Sequence, residues 1–234
     1  MKNNIQDKTK LVNSVFSKVY KNYDMMNDIM SLGIHRIWKE KYISWLNPSP
    51  NSNLIDVASG TGDIAKLFSN HTNHSAKITC VEPNNDMFEV GEKNLKKYKN
   101  IEWIKAAAEA LPVKDNSFDY YTISYGIRNV SDINKTLREA YRVLKTGGRF
   151  MCLEFSKIDN EALNFLYKQY SKIIPLAGKY IVGSSKPYDY LVESIDSFCN
   201  QKELCGLMIK NGFSNVEYRN LSNGISAIHS GWKI

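Results

Sequence analysis

The residues best suited to chemistry lie in one short run, N-L-I-D-V-A-S-G-T-G-D, from Asn53 to Asp63. Asp56 closes a mostly apolar stretch that reads as a buried strand, Gly60-Thr61-Gly62 turns the chain, and I-A-K-L-F opens a helix. Such a turn lets backbone approach a ligand, and the first N–H groups of the helix are open to it. Gly60, Gly62 and Ala65 also fit the G-x-G-x-x-G/A spacing of dinucleotide sites, so spacing alone does not choose the ligand. The carboxylates do. Asp56 and Asp63 would repel a pyrophosphate seated over the turn, whereas they attract an ammonium and a sulfonium. S-adenosylmethionine carries both cations and no phosphate there, so it is the expected cofactor, ahead of a nicotinamide dinucleotide or a ligand-free turn.

Further polar residues fall at the ends of later strands. Glu82 closes K-I-T-C-V-E, twenty residues beyond Gly62, the interval at which an acidic residue reaches a nucleoside ribose. The run A-A-A-E-A-L-P places small residues, Ala107 and Ala108 among them, before Glu109, as needed where backbone passes close to an adenine ring. Arg128 and Asn129 follow the fourth strand, where a guanidinium can hold a developing oxyanion. The alternative for Arg128 is a salt bridge within the loop.

These residues need a scaffold that brings strand ends together. Strands are expected near 53–56, 77–82, 101–106, 118–125, 149–155, 215–220 and 224–229, with helices following the first, second and fourth. Ser131 reads as the N-cap of the helix whose Ile133, Leu137, Ala140, Tyr141 and Leu144 form an apolar face, and Lys145-Thr146-Gly147-Gly148 as its end. Serial β-then-α units imply an α/β fold with a mostly parallel, doubly wound sheet, helices on both faces, and ligands at the carboxyl ends of the strands. One domain spans residues 1–234. It divides into a helical N-terminal cap (1–46), a cofactor-binding core (53–155), a helical lid inserted after the fifth strand (156–198), and a C-terminal helix with a β-hairpin (199–234).

The N-terminal cap contains Y-D-M-M-N-D-I-M-S-L-G-I-H-R-I-W, from Tyr23 to Trp38. Its methionines and aromatics recur at helical spacing and suit a core face. Tyr23, Asp24, Asn27, His35 and Arg36 are too polar, as a group, for that explanation. Tyr23, Asp24 and His35 are therefore candidates for a base above the cofactor, although Asp24 also suits a helix cap and His35 a cap or packing position.

Composition narrows the classes. The chain has 234 residues, 43% of them hydrophobic, enough for a substantial core. A net charge of +7 is carried by scattered lysines, with K-K-Y-K at 96–99 the densest cluster, which favours a solvated surface over a nucleic-acid groove. Cys80, Cys152, Cys199 and Cys205 form no C-x-x-C pair and read as free thiols in a reducing compartment. His71 and His74 suit a polar loop rather than a metal site, and no metal is expected. Neither a signal peptide nor a run of roughly 18 apolar residues is visible, so the expected location is the cytoplasm, with peripheral contact at the inner membrane surface.

The motifs D-V-A-S-G-T-G-D, A-E-A-L-P and L-K-x-G-G occur in many methyltransferases, but three others are more specific: the N-terminal block, G-I-R-N-V and Y-L-x-E-S-I. Together, from Val15 to Ile234, they resemble the UbiE group of quinone-ring C-methyltransferases and its mitochondrial counterparts. The resemblance implies a class I methyltransferase, Rossmann-like fold with a seven-stranded sheet, S-adenosylmethionine as cofactor, and methylation of a ring carbon on a polyprenylated benzoquinol or demethylmenaquinol. By matching positions it implies cofactor contacts at Thr61, Glu82, Ala107, Ala108 and Ser124. Ala107 stands where relatives often have asparagine, so only its backbone can contribute. Glu82 replaces an aspartate, keeping the charge with a longer reach.

Methylation of carbon needs an electron-rich acceptor, which a quinol becomes when one hydroxyl ionises. Lowering a phenol-like pKa from about 10 to about 7 requires about 4 kcal/mol. One charge-assisted hydrogen bond supplies about 1.5–3 kcal/mol, leaving the rest to a base or water relay. Expected partners are the prenylated quinol, a membrane surface, other quinone-synthesising enzymes and a second copy of the chain, with no nucleic acid. Two rivals stand beside this reading: a methyltransferase for another lipophilic acceptor, and a non-catalytic cofactor-binding subunit.

Overall fold

A computed structural model describes residues 28, 31, 33–158, 160, 161, 164–167, 169, 170 and 186–234. Seven strands form one sheet in the order β3-β2-β1-β4-β5-β7-β6. They are β1 Asn53–Val57, β2 Lys77–Val81, β3 Ile101–Ile104, β4 Phe118–Ser124, β5 Leu144–Phe155, β6 Ser214–Leu221 and β7 Ser226–Trp232. The first five run parallel, and β7 pairs antiparallel with both β5 and β6. The strand order reverses direction between β1 and β4, which opens a crevice at their carboxyl ends, where open α/β sheets bind ligands. The near-continuous burial of β1, β2 and β5 is that of strands covered on both faces.

Six helices are described in full: α1 His35–Leu46, α2 Asp63–His71, α3 Asn85–Leu95, α4 Ile133–Val143, α5 Lys186–Ser197 and α6 Gln201–Lys210. On one face of the sheet Trp38, Tyr42, Ile43 and Leu46 of α1 pack with Ile64 and Phe68 of α2 against Leu54, Met151 and Leu153. Burying each such side chain contributes about 1.5–3 kcal/mol, so α1 is part of the core rather than a loose cover. The other face carries α4 and α6, through Leu137, Ala140, Leu204 and Met208. Arg149, midway along β5, fastens the far end of α1 by donating to Trp45 O at 2.8 Å and Leu46 O at 3.3 Å. Those are orphan carbonyls of the last helical turn.

Two boundaries differ from expectation. Asp132, not Ser131, caps α4, accepting from Lys135 N–H at 3.0 Å. The reason is Glu109, whose Oε1 takes the N–H and Oγ–H of Ser131 at 2.6 Å each and so removes that side chain from capping. Residues 145–148 do not close the helix either. They bulge out of β5 between Leu144, paired with Phe118, and Arg149, paired with Tyr120. Lys233 from beyond β7 reaches in to donate to Tyr141 O and Leu144 O, both at 2.8 Å.

Candidate functional site

The glycine turn does what its residue types predict. Gly62 has φ +90°, and a Cβ there would stand 2.5 Å from Leu95 Cδ1, so both conformation and space exclude a side chain. Ala58 and Tyr125, just past the ends of β1 and β4, adopt φ +53° and +54°, uncommon for residues with side chains. Both strands thus turn sharply at neighbouring ends. They approach so closely that a Cβ on Gly126 would lie 2.5 Å from that of Ala58.

Between these ends lies a narrow cleft lined by Lys39, Asp56, Ala58, Ser59, Gly60, Thr61, Asp63, Ile64, Ser124 and Tyr125. It gathers Asp56, Gly60, Thr61 and Ser124, four of the expected cofactor residues. Asp56 is 1% exposed. Its Oδ1 accepts from Thr122 Oγ1 at 2.7 Å, while Oδ2 has no hydrogen-bond partner. Burial pushes its carboxyl up to about 7, against the hydrogen bond from Thr122 and with the nearby Glu82 and Asp63 carboxylates adding to the rise. Ser124 Oγ is likewise buried and without a partner. A buried acceptor left open, held among carboxylates, suits a cationic ligand that brings its own donors.

Asp63 differs from Asp56. Burial opposes its charge, but the Lys39 ammonium, 2.6 Å from Oδ2, outweighs that and holds the carboxyl below its ordinary range. Glu82 stands behind the turn. Its Oε2 accepts from Gly60 N–H and its Oε1 from Asn84 N–H, each at 2.9 Å. Burial raises its carboxyl to about 7, against those two bonds. Glu82 therefore holds the glycine turn against the β2–α3 loop. Ala107 and Ala108 follow β3 on the same side of the sheet but do not line the cleft. Ala108 is buried in the core with Val57 and Val81, and Ala107 is exposed.

A second cluster sits beside the cleft. Arg128 lies in a short 3-10 turn, Ile127–Asn129, and is 7% exposed. Its Nη1 donates to Glu154 Oε1 at 2.5 Å and to Tyr125 O at 2.7 Å, and its Nε donates to Ser194 Oγ at 3.3 Å. Arg128 is ion-paired, but with Glu154 of β5 rather than with a partner inside its own loop. Burial raises the Glu154 carboxyl, and Arg128 works against that rise. Asn129 Oδ1 accepts from Tyr190 Oη at 3.0 Å. Tyr190 and Ser194 both belong to α5, so the G-I-R-N-V and Y-L-V-E-S-I motifs are two sides of one contact.

The base candidates fare differently. Tyr23 and Asp24 lie outside the described residues. His35 is buried, with Nδ1 2.9 Å from Ser31 Oγ and 3.6 Å from Asp28 Oδ1. Burial, reinforced by the Lys39 charge, lowers its pKa to about 4. An imidazole so poorly basic is mismatched to a phenol-like hydroxyl near neutral pH. Its geometry is that of a packing residue joining α1 to the segment before it.

Reading the sequence missed Lys39, Ser59, Glu154, Tyr190 and Ser194. Ser59 Oγ donates to Asp56 O at 2.6 Å and receives Val81 N–H at 3.2 Å, fixing the turn from within. Tyr190 and Ser194 had a signal in the Y-L-x-E-S-I motif. Glu154 had one in its place at a strand end.

Residues 2–233 match the model of the ubiE/COQ5 methyltransferase family. A ubiquinone/menaquinone biosynthesis C-methyltransferase UbiE of Brucella suis biovar 1 (strain 1330) is 50% identical over 234 residues, covering 97% of this chain and 87% of that protein. The protein of the same description from Rickettsia bellii (strain OSU 85-389) is 51% identical over 235 residues, covering 97% and 94%. Among solved structures, a SAM-dependent methyltransferase of Thermotoga maritima, described as a possible histamine N-methyltransferase, superposes with a TM-score of 0.67 at 21% identity. That match covers 94% of this chain and 99% of the other, and it shows the fold.

Proposed function

The chain belongs to the ubiE/COQ5 methyltransferase family, and on that premise we propose that it methylates a ring carbon of a polyprenylated benzoquinol or demethylmenaquinol in quinone biosynthesis. S-adenosylmethionine supplies an electrophilic methyl group when bound. The chain's residues fit that cofactor: Asp56 offers a buried open acceptor to a cation, Thr61 and Ser124 line the same cleft, and Glu82 fixes the turn beneath it. Arg128 is a positioning residue in this reading. It fastens Tyr125 O and Glu154 under the wall of the cleft, while α5 holds Arg128 and Asn129 from above.

The observation that carries the reading is the pairing of the cofactor cleft with the G-I-R-N-V and Y-L-V-E-S-I contact beside it, in a chain whose relatives match over nearly its whole length. Access for a prenylated substrate is supported by exposed Ile34 and Ile37 at the head of α1 and by exposed Phe165 and Leu166 in the stretch assigned to the lid. Among the described residues no helix is long and apolar enough to cross a membrane, so the apolar surface suits contact with a lipid face rather than a span. The test is turnover with S-adenosylmethionine and a short-prenyl quinol kept reduced. The expected product is one methyl group heavier, with the methyl on a ring carbon. Methylation on oxygen, or none with either ring type, would overturn the proposal.

A further inference from the structure

Lys39 stands one helical turn after His35 on α1, and 8% of its side chain is exposed. Its ammonium donates to Asp63 Oδ2 at 2.6 Å, at the mouth of the cofactor cleft. Among the described residues that line the cleft, Lys39 is the sole cation, beside the carboxylates of Asp56 and Asp63. S-adenosylmethionine carries a carboxylate as well as its two cations. Bringing that carboxylate toward two acidic side chains is unfavourable unless a cation or open amides meet it. Three amides of the turn are already engaged. Those of Ser59, Gly60 and Gly62 donate to Val81 O at 3.1 Å, Glu82 Oε2 at 2.9 Å and Ser59 O at 2.9 Å.

Resting on the cofactor reading above, we propose that Lys39 is the carboxylate anchor of the cofactor site, held ready at the cleft by Asp63 until the amino-acid end of the cofactor takes its ammonium. Asp63 suits the role of stand-in because its side chain is 42% exposed, so water receives its carboxylate when the lysine turns to the ligand. The ammonium exchanges one carboxylate for another and stays paired throughout, which avoids the cost of stranding a buried charge. The assignment also makes α1 part of the cofactor site. Its position is set by Trp38 and Tyr42 in the core and by Arg149 at its far end.

The test is calorimetric titration of the full chain with S-adenosylhomocysteine and with its decarboxylated analogue. Lys39→Met keeps the apolar stem and removes the charge. It should weaken S-adenosylhomocysteine roughly 10- to 150-fold, the range for a hydrogen bond between charged groups, and leave the decarboxylated analogue within about twofold of wild type. Lys39→Arg should restore most of the lost affinity. Melting curves establish that the variants fold, and Lys39→Gln replaces the methionine variant if that one does not. Unchanged S-adenosylhomocysteine affinity in a folded variant would overturn the assignment, and so would an equal loss for both ligands, which would mean that Lys39 merely props up the turn. Failure of the wild-type chain to bind either ligand would sink the cofactor reading itself, and the Lys39 assignment with it.

Discussion

Replacing Arg128 by methionine separates a positioning residue from one that holds negative charge on the substrate. The side chains of Arg128 and Glu154 are 3% and 1% exposed, so Arg128→Met strands a carboxylate in the core. What remains to Glu154 is Phe155 N–H at 2.9 Å and the residue-128 N–H at 3.4 Å. Breaking a buried pair in this way costs about 3–5 kcal/mol. At roughly 2–4 °C per kcal/mol for a chain of this size, the melting temperature should fall by roughly 6–20 °C. Adding Glu154→Gln removes the stranded charge but keeps an acceptor for Phe155 N–H, so the double variant should regain most of the loss. The pH dependence has a definite sign. Burial already raises the Glu154 carboxyl, and without Arg128 it rises further, so the single variant is destabilised as pH rises through the ordinary carboxylate range and recovers as pH falls. Calorimetric melts across that range and turnover on a soluble quinol provide the assays. If Arg128 only positions the cleft wall, the double variant should regain turnover to within about tenfold of wild type. If the guanidinium also holds phenolate charge, a folded double variant should stay about 30- to 150-fold slow, the equivalent of about 2–3 kcal/mol. An unchanged melting temperature in Arg128→Met would refute the structural argument outright.

Cofactor binding should depend on pH, because Asp56 and Glu82 are both held near pKa 7 by burial and a bound cation favours their charged forms. S-adenosylmethionine should tighten from about pH 6 to about pH 8 with release of protons, more than S-adenosylhomocysteine does; calorimetry in buffers of different ionisation enthalpy measures both, and flat affinity would contradict it. Gly126→Ala forces a methyl to within 2.5 Å of Ala58 Cβ, so it should cost about 1–3 kcal/mol and splay the two strand ends. Chemical denaturation reads the first effect and titration with S-adenosylhomocysteine the second, with wild-type affinity counting against the close approach. Hydrogen exchange in Lys186–Ser197 should slow when a prenylated quinol binds, since Tyr190 and Ser194 of that helix hold Asn129 and Arg128. Equal exchange with and without the quinol would separate that helix from the substrate.

Which parts of this site can be read from a linear chain depends on how far apart the interacting groups lie. The glycine turn was legible because its strand, turn and helix follow one another within Asn53 to His71. All seven strands were legible, most of them as apolar runs punctuated by turns, although β6 is largely polar. The cap of α4 was misplaced by one residue because Glu109, 22 residues upstream of Ser131, competes for the side chain that local rules assign to capping. Glu154 sits 26 residues from Arg128, yet both lie at the carboxyl ends of neighbouring parallel strands, with Ser124 beside Leu153. Such a partner is open to inference once the strand order is known. Lys39 is not. A lysine on a helix reads as a solvated face, and only the crossing of α1 over the start of α2 brings its ammonium to Asp63.

The charges of the site also bear on how one cofactor is exchanged for its product. Asp56, Asp63 and Glu82 surround the turn, and among the described residues only Asp63 of these has a cationic side chain beside it. Asp56 and Glu82 are therefore poised rather than fixed: burial pushes each carboxyl up to about 7 in the free chain. Binding a sulfonium draws both toward the charged form, and that coupling is strongest in a buried site of low dielectric. Methyl transfer neutralises the sulfur, so the same carboxylates lose a counter-charge and regain their tendency to take up protons. The ammonium and carboxylate of the amino-acid end are unchanged by the reaction, and contacts to them hold substrate and product cofactor alike. Discrimination between the two is then expected of the buried carboxylates rather than of Lys39, and it should widen as pH rises through about 7.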